Sequence, residues 1–540
     1  MLRPLLQAVL AMQLASGALL VGADQPPASD TAAAVDAAIA EAFFVDGVQP
    51  AEPTDDAAFA RRVWLDIVGD IPTPEELTAF VLDRAPGKRA RLVERLLAQP
   101  EYGQNWSRYW RDVVFSRAIE DRVKIAANAT EVDLRERLNA GDGWDAIAAA
   151  FITAKGDVQE NGACGIIAAA DGRTEEAAAE VSRIFLGIQI QCAQCHDHPY
   201  DRWKREQFHE LAAFFPRVGV RPVATPSKRS QEVFTNDRSG PRRAVQGNRP
   251  QPEHYMPDLE NPKAKGSEMR PRFFLTGAEL STGKRDEQRR EQLAEWLTDN
   301  EWFSIALVNR IWAELVSEGF YEPIDDIGPD REATAPEALR LLSEGFTASG
   351  HDLRWLLNAI CRTEAYQREA RPRRGVGGKA FVANAPQLLR GDQLYGALTT
   401  ALGIDETDDK KPGFRGGFVP RYDRSVTTRQ LFVSVFEYDP SVSRDEVAPA
   451  IPEVLALMNA PQIQRAVSAK KGTDLRRLLD AIDDDADLAA EVYLRCLSRA
   501  PTEDELAAFL DYRASTGKRG AAFEDLQWAL VNSAEFRYRP

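Results

Sequence analysis

Five consecutive residues, Cys192-Ala193-Gln194-Cys195-His196, carry the most recognisable chemistry in this chain. Two thiols three residues apart share one side of a turn or helix, so both can add to the vinyl groups on one porphyrin edge. The next residue then brings its imidazole to the iron as the proximal ligand. The spacing predicts one covalent haem c, held by Cys192 and Cys195 with His196 on the iron. Other uses of the same residues stay open. Cys192, Cys195, His198 and His209 could hold a metal ion such as zinc, although a second Cys-x-x-Cys or His-x₃-His pair is missing. The two thiols could work as a redox dithiol, although such pairs usually sit between a strand and a helix. They could also close as a plain structural disulfide.

The residues around the motif refine the reading. Phe185 to Ile190 lead in with an apolar face, and Pro199 ends any helix on the far side. His198 lies too close to His196 to reach the opposite face of the same haem. It is expected to hydrogen-bond a propionate or a nearby carboxylate such as Asp201. A distal ligand must come from elsewhere, and His209, one short loop away, and Met256 are the first choices. His254, His351 and Met458 complete the candidates. A Met ligand would raise the potential relative to a second His.

Other polar groups read as structure. Asp325-Asp326-Ile327-Gly328 after Pro323 is a turn before it is a cation site. Asn309-Arg310-Ile311-Trp312 reads as a helix face with Trp312 in the core. The acidic run Asp483–Asp487 is a solvated connection between helices. The sequence holds no nucleophile elbow, P-loop or Gly-rich dinucleotide fingerprint.

The elements that must position the motif are helical. Phe59, Val63, Leu65, Ile67 and Val68 form an apolar stripe. Thr73-Pro74-Glu75-Glu76 reads as a helix start with a capping box. Trp106 and Trp110 share a face at i, i+4. The fold class expected is mainly α. It comprises two helical domains with an irregular or β-hairpin insertion between them and a repeated three-helix unit at both ends. The repeat rests on Val63-Trp64-Leu65 … Pro72-Thr73 … Phe80, which resembles Val492-Tyr493-Leu494 … Pro501-Thr502 … Phe509 at one constant offset. Each copy leads to an acid–aromatic pair, Glu101-Tyr102 and Glu535-Phe536.

The expected organisation is a signal peptide at 1–23, a flexible tether at 24–53 and a helical domain carrying the motif at 54–216. An irregular insertion or linker follows at 217–285, then a second helical domain at 286–540. The first segment has Arg3 before an apolar stretch from Leu5 to Val21, then small residues before Asp24, which predicts export to the periplasm or beyond. No later stretch approaches the ~20 apolar residues of a membrane span. A chain of 540 residues with 44% hydrophobic residues has the material for more than one core. Its net charge of −16 argues against nucleic acid and anionic lipid as partners. With five cysteines, three of them far apart, packing rather than disulfides must stabilise the fold.

The stretch from Phe185 through Cys192-Ala193-Gln194-Cys195-His196-Asp197-His198-Pro199-Tyr200-Asp201-Arg202-Trp203 to Phe215 resembles the planctomycetal cytochrome-C-like domain, an exported family. Phe59-Ala60-Arg61-Arg62-Val63-Trp64-Leu65-Asp66 and Pro72–Glu76 are similar to it too. Leu293–Leu297, Val308–Trp312, Asp325–Gly328, Leu455–Asn459 and Asn532–Phe536 resemble the domain of unknown function that usually follows. The resemblance implies a c-type haem context and no established catalysis. Ser441–Asp445 departs from it by lacking the cysteine many relatives show.

Three functions are therefore carried forward. The first is an exported electron-transfer or redox protein with one haem and a redox partner protein. The second is a non-enzymatic helical scaffold or binding protein with Cys192–Cys195 as a disulfide. The third is a metal-dependent hydrolase using the Cys/His cluster. A simple electron carrier needs roughly 100 residues, so most of this chain must do something else.

Overall fold

Short polar side chains sit where the helices begin. Asp55, Thr73, Asn300, Asp352, Thr502 and Ser533 each accept a hydrogen bond from a backbone N–H in the first turn that follows. Each such cap contributes about 1 kcal/mol to its helix. The computed structural model describes residues 26–118, 124–225, 228–237, 253–372, 380–404, 428–436, 439–442 and 460–540. Within them the chain is mainly α, and its strands form only small antiparallel sheets. The signal-peptide segment and Met458 lie outside the described residues.

The helices that matter below are α1 (Ala28–Asp46), α2 (Asp56–Ile67), α3 (Pro74–Leu82), α4 (Lys88–Leu97) and α5 (Pro100–Phe115). They continue with α6 (Trp144–Thr153), α7 (Thr174–Leu186), α8 (Arg205–Ala212), α9 (Asp286–Thr298) and α10 (Glu301–Val316). Helix α1 corrects the expected tether at 24–53. Val35, Ile39 and Phe43 recur every four residues and are buried against the helices Pro336–Ala348 and Leu353–Arg362. The Ala-rich composition that suggested a tether is instead a good helix former with one narrow apolar stripe.

The core does not divide at the expected boundary between 54–216 and 286–540. An aromatic series runs from Trp110 to Trp144 (4.2 Å between ring centres), to Phe185 (5.8 Å) and on to Phe303 of α10 (6.5 Å). One hydrophobic core therefore takes in residues from Ala28 to Val382. A second core gathers the chain from Leu389 to Phe536, together with Leu65 and Ile71. Apolar faces on α9, α10 and the two helices after them are filled by the first half of the chain.

The insertion contains the expected hairpin, β2 (Val218–Thr225) with β3 (Lys228–Thr235). Its sheet has a third strand that the sequence reading placed among helices. Gly156-Asp157 forms β1 and pairs with Val233 and Glu232, giving the order β1-β3-β2. Gly156 takes a left-handed φ of 112°, which frees the chain to leave α6 and meet β3. A two-residue ladder, β4 (Tyr255–Met256) with β5 (Ser267–Glu268), follows.

Both copies of the proposed repeat are present as three helices, α2–α4 and the set Asp485–Leu497, Glu503–Thr516 and Arg519–Val531. Each has a full capping box, Thr73 with Glu76 and Thr502 with Glu505. The matching residues Gly69 and Ser498 both take left-handed φ, 76° and 57°. The copies also touch. Arg61 of α2 donates to the Cys496 carbonyl (3.0 Å), the Ser498 hydroxyl (3.1 Å) and the Phe536 carbonyl (3.2 Å).

Its neighbours extend this lock. Arg62 donates to the carbonyls of Arg368 and Pro540, both at 2.8 Å, and to that of Tyr366. Asp66 accepts from the Tyr366 hydroxyl (2.7 Å) and from Arg539 Nε (2.9 Å). Arg539 lies on β7 (Tyr538–Arg539), which pairs with β6 (Gln387–Leu388). All three arginines and Asp66 are buried.

Candidate functional site around Cys192–His196

Helix α7 aims the motif. It ends at Gly187, whose φ of 65° turns the chain sharply. A Cβ there would sit 2.8 Å from the Ile327 side chain, so only glycine fits. The Gly187 carbonyl accepts from Ile327 N–H at 2.9 Å. The Ser182 hydroxyl donates to the Ile188 carbonyl at 2.9 Å and closes the turn. Residues Ile190–Gln194 then form a short 3₁₀ turn pinned by the buried side chains of Ile190 and Ala193.

With Ile190 and Ala193 facing inward, the reactive residues face out. Cys192 and Cys195 are exposed free thiols. His196 is exposed too, and its Nδ1 lies 2.7 Å from the Asp197 carbonyl. A carbonyl only accepts, so Nδ1 is the donor of this bond. That is the arrangement a metal-bound histidine uses, with the outer nitrogen tied to an acceptor. Asp197 accepts from Arg205 N–H (3.1 Å) and from Lys204 Nζ (3.0 Å). These bonds hold its carboxyl below the usual range.

The loop after the motif behaves differently from expectation at one point. His198 N–H donates to the Trp203 carbonyl at 2.8 Å, and its Nδ1 accepts from Tyr200 N–H at 3.4 Å. Asp201, the carboxylate expected to bond His198, is turned away. It is buried against Arg331 (3.7 Å) and accepts from Arg202 N–H (2.7 Å). Pro199 bends the loop so that Asp201 meets the loop after α10 rather than the histidine. Arg202 pairs in a fork with Asp330 of the same loop (3.0 and 2.6 Å). Tyr200 stands 90% exposed at the tip.

His209 is buried on α8 with both ring nitrogens in use. Nε2 lies 3.1 Å from the Gln194 carbonyl, so it is the donor; Nδ1 accepts from His254 Nε2 at 2.8 Å. Burial pushes both imidazoles down, His254 to about 4, where the neighbouring His209 adds to the effect. Both rings are thus neutral near pH 7. To serve as distal ligand, His209 would have to leave one of these bonds and the core. Met256 sits half-buried on β4, beside α8. His351 is packed between Phe303 and Phe346, ring centres 5.2 Å from each. Among the described residues no three His, Cys, Asp or Glu side chains gather in a way that could hold a metal ion, and Cys192, Cys195, His198 and His209 are not brought together as one set.

Residues of the second half complete the setting. Asp325 takes ion pairs from Arg183 of α7 (3.1 Å) and Arg310 of α10. Arg183 also donates to Ser441, which stands in the stretch where relatives were expected to show cysteine. Asn309 Nδ2 holds the carbonyls of Tyr321 and Ile324. The Asp325–Gly328 turn is therefore a docking loop for α7 and the motif, and Trp312 is fully buried as expected. The links from Arg183 to Asp325 and Ser441 were not legible beforehand, because those partners lie more than a hundred residues apart.

Residues 34–219 match the family model PSCyt2, described as a protein of unknown function (DUF1549). Residues 289–387 match PSD1, also described as a protein of unknown function (DUF1553). The chain carries a PSCyt2 match followed by a PSD1 match. No curated protein and no solved structure matches it. The two matches stand in the N-to-C order expected from the sequence resemblance. The motif turn belongs to the first match and the Asp325–Asp330 loop to the second, so the candidate site lies where the two matched stretches meet. His254 belongs to neither matched stretch. No helix among the described residues is long and apolar enough to cross a membrane.

Proposed function

We propose that this protein is an exported c-type haem protein that passes electrons to or from another exported protein. Cys192 and Cys195 would hold the haem c through thioethers, and His196 Nε2 would be its proximal ligand. The observation that carries the reading is the contact of His196 Nδ1 with the Asp197 carbonyl, which leaves Nε2 facing out, beside two solvent-facing free thiols. Bound there, a haem would supply one-electron chemistry. The protein's own contribution is to hold the two thiols and the imidazole on one short turn and to present that turn at the surface. Helix α7 and the Asp325–Asp330 loop brace the turn from behind, and the exposed surface around it would receive a redox partner.

The test is a haem-peroxidase stain of the denatured protein, made in a strain with haem-attachment machinery. A gel-stable signal that disappears in Cys192→Ala/Cys195→Ala supports the proposal. Matured protein that is colourless, with the mass of the bare polypeptide, would sink it. Stoichiometric metal without haem would favour the Cys/His hydrolase, and neither metal nor haem, with the thiols blocked, the scaffold. A reduced-minus-oxidised spectrum then distinguishes Met from His as the sixth ligand.

A further inference from the structure

Two lines of hydrogen bonds leave the inserted segment and end on the same atom, the Gln194 carbonyl in the middle of the motif. The first runs through side chains buried behind the turn. His254 Nε2 donates to His209 Nδ1 at 2.8 Å, and His209 Nε2 donates to the Gln194 carbonyl at 3.1 Å. The second runs over the outside. Arg205 Nη2 donates to the Pro257 carbonyl at 2.5 Å, while its Nε faces the Gln194 carbonyl at 3.4 Å. The segment is itself anchored at both flanks of His254. Glu253 is gripped by the buried guanidiniums of Arg217 (2.7 Å) and Arg289 (2.5 Å), and the His254 carbonyl accepts from Met269 N–H at 2.9 Å.

We propose that residues 253–257 are a strap that holds the Cys192–His196 turn in a single conformation through His209 and Arg205, which act as positioning residues. The 3₁₀ turn has only two buried side chains of its own, Ile190 and Ala193, and short 3₁₀ segments have poor internal hydrogen-bond geometry. A carbonyl with two lone pairs can take both donors at once. With its carbonyl held from two sides, Gln194 fixes the spacing of the sulfurs before and after it. The strap thereby keeps both thiols facing solvent and limits how they are attacked. As a statement about haem attachment this rests on the function proposed above; as a statement about the turn it does not.

The experiment measures the rate at which Cys192 and Cys195 react with 5,5′-dithiobis(2-nitrobenzoic acid) in the full chain, made without haem-attachment machinery. The other three cysteines are buried and report separately, on slow global opening. Loss of one net hydrogen bond loosens the turn, so His209→Phe should react about fivefold faster and Arg205→Ala about twofold faster. His209→Gln keeps an N–H donor at the same reach and should stay within about twofold of the parent chain. Circular dichroism and melting identify folded variants. If His209→Phe does not fold, Arg205→Ala, on the outside of the turn, decides alone. Parental rates in either folded loss-of-donor variant overturn the strap, as does His209→Gln reacting as fast as His209→Phe. Repeating the series with the attachment machinery should lower haem yield in the same order. If the parent chain takes up no haem, the function fails while the thiol rates still decide the strap.

Discussion

Two stretches of this chain are rich in polar, motif-like residues, and the structure uses them in opposite ways. Arg61, Arg62 and Asp66 on α2 are buried and bonded to carbonyls, a hydroxyl and Arg539. Cys192, Cys195 and His196 are exposed, the thiols free, with one histidine nitrogen uncommitted. A buried polar group bonded into the fold is closed off from a ligand, whereas an exposed one on a braced turn keeps its reactivity. Family-like residue patterns therefore mark architecture in the first case and point to chemistry in the second.

Substitution at each stretch breaks that comparison most directly. Asp66→Ala leaves Arg539 in the core without its carboxylate and should cost about 3–5 kcal/mol, read by urea unfolding. Cys192→Ala/Cys195→Ala should change stability by no more than about 0.5 kcal/mol in the haem-free chain. If the cysteine variant is the less stable of the two, the division into architecture and chemistry is wrong.

Acid comes next in size. The unfolded chain protonates His254 near its ordinary pKa of about 6.5, whereas the folded chain resists until about 4. Stability should therefore fall as pH drops from about 6.5 to 4, by about 3 kcal/mol in all, with no contribution above that window. His254→Gln should lose this component of the pH profile; an unaltered profile would place the acid sensitivity elsewhere.

The repeat offers a finer comparison. Thr73→Ala and Thr502→Ala each remove the side chain of a capping box and should cost about 1 kcal/mol apiece. Unequal costs in denaturant melts would show that the two copies are not energetically alike. Smallest of all, Arg202→Ala removes an exposed pair with Asp330 and should cost at most about 1 kcal/mol.

Local physics was legible in the sequence, and long-range pairing was not. Thr73-Pro74-Glu75-Glu76 announces a helix start because the partners lie three residues apart, and the cap is there as read. Cys192–His196 was legible for the same reason. The bracing of the motif was not, since His254 reaches His209 across the insertion and Asp325 reaches Arg183 from the second matched region. Helix α1 was misread because Ala-rich composition hides a stripe only three residues deep. Gly156-Asp157 was missed because two residues carry no strand period, and their pairing is set by the distant hairpin.

The bond between Asp66 and Arg539 has a consequence for how the molecule comes into being. Protein synthesis delivers residues in order, so the carboxylate is made long before the guanidinium that completes it. Until residue 539 arrives, the Asp66 carboxylate on α2 lacks its buried counter-charge. A chain cut before Tyr538 would leave Asp66 in the core without its guanidinium and loosen the seam that Arg539 closes against α2.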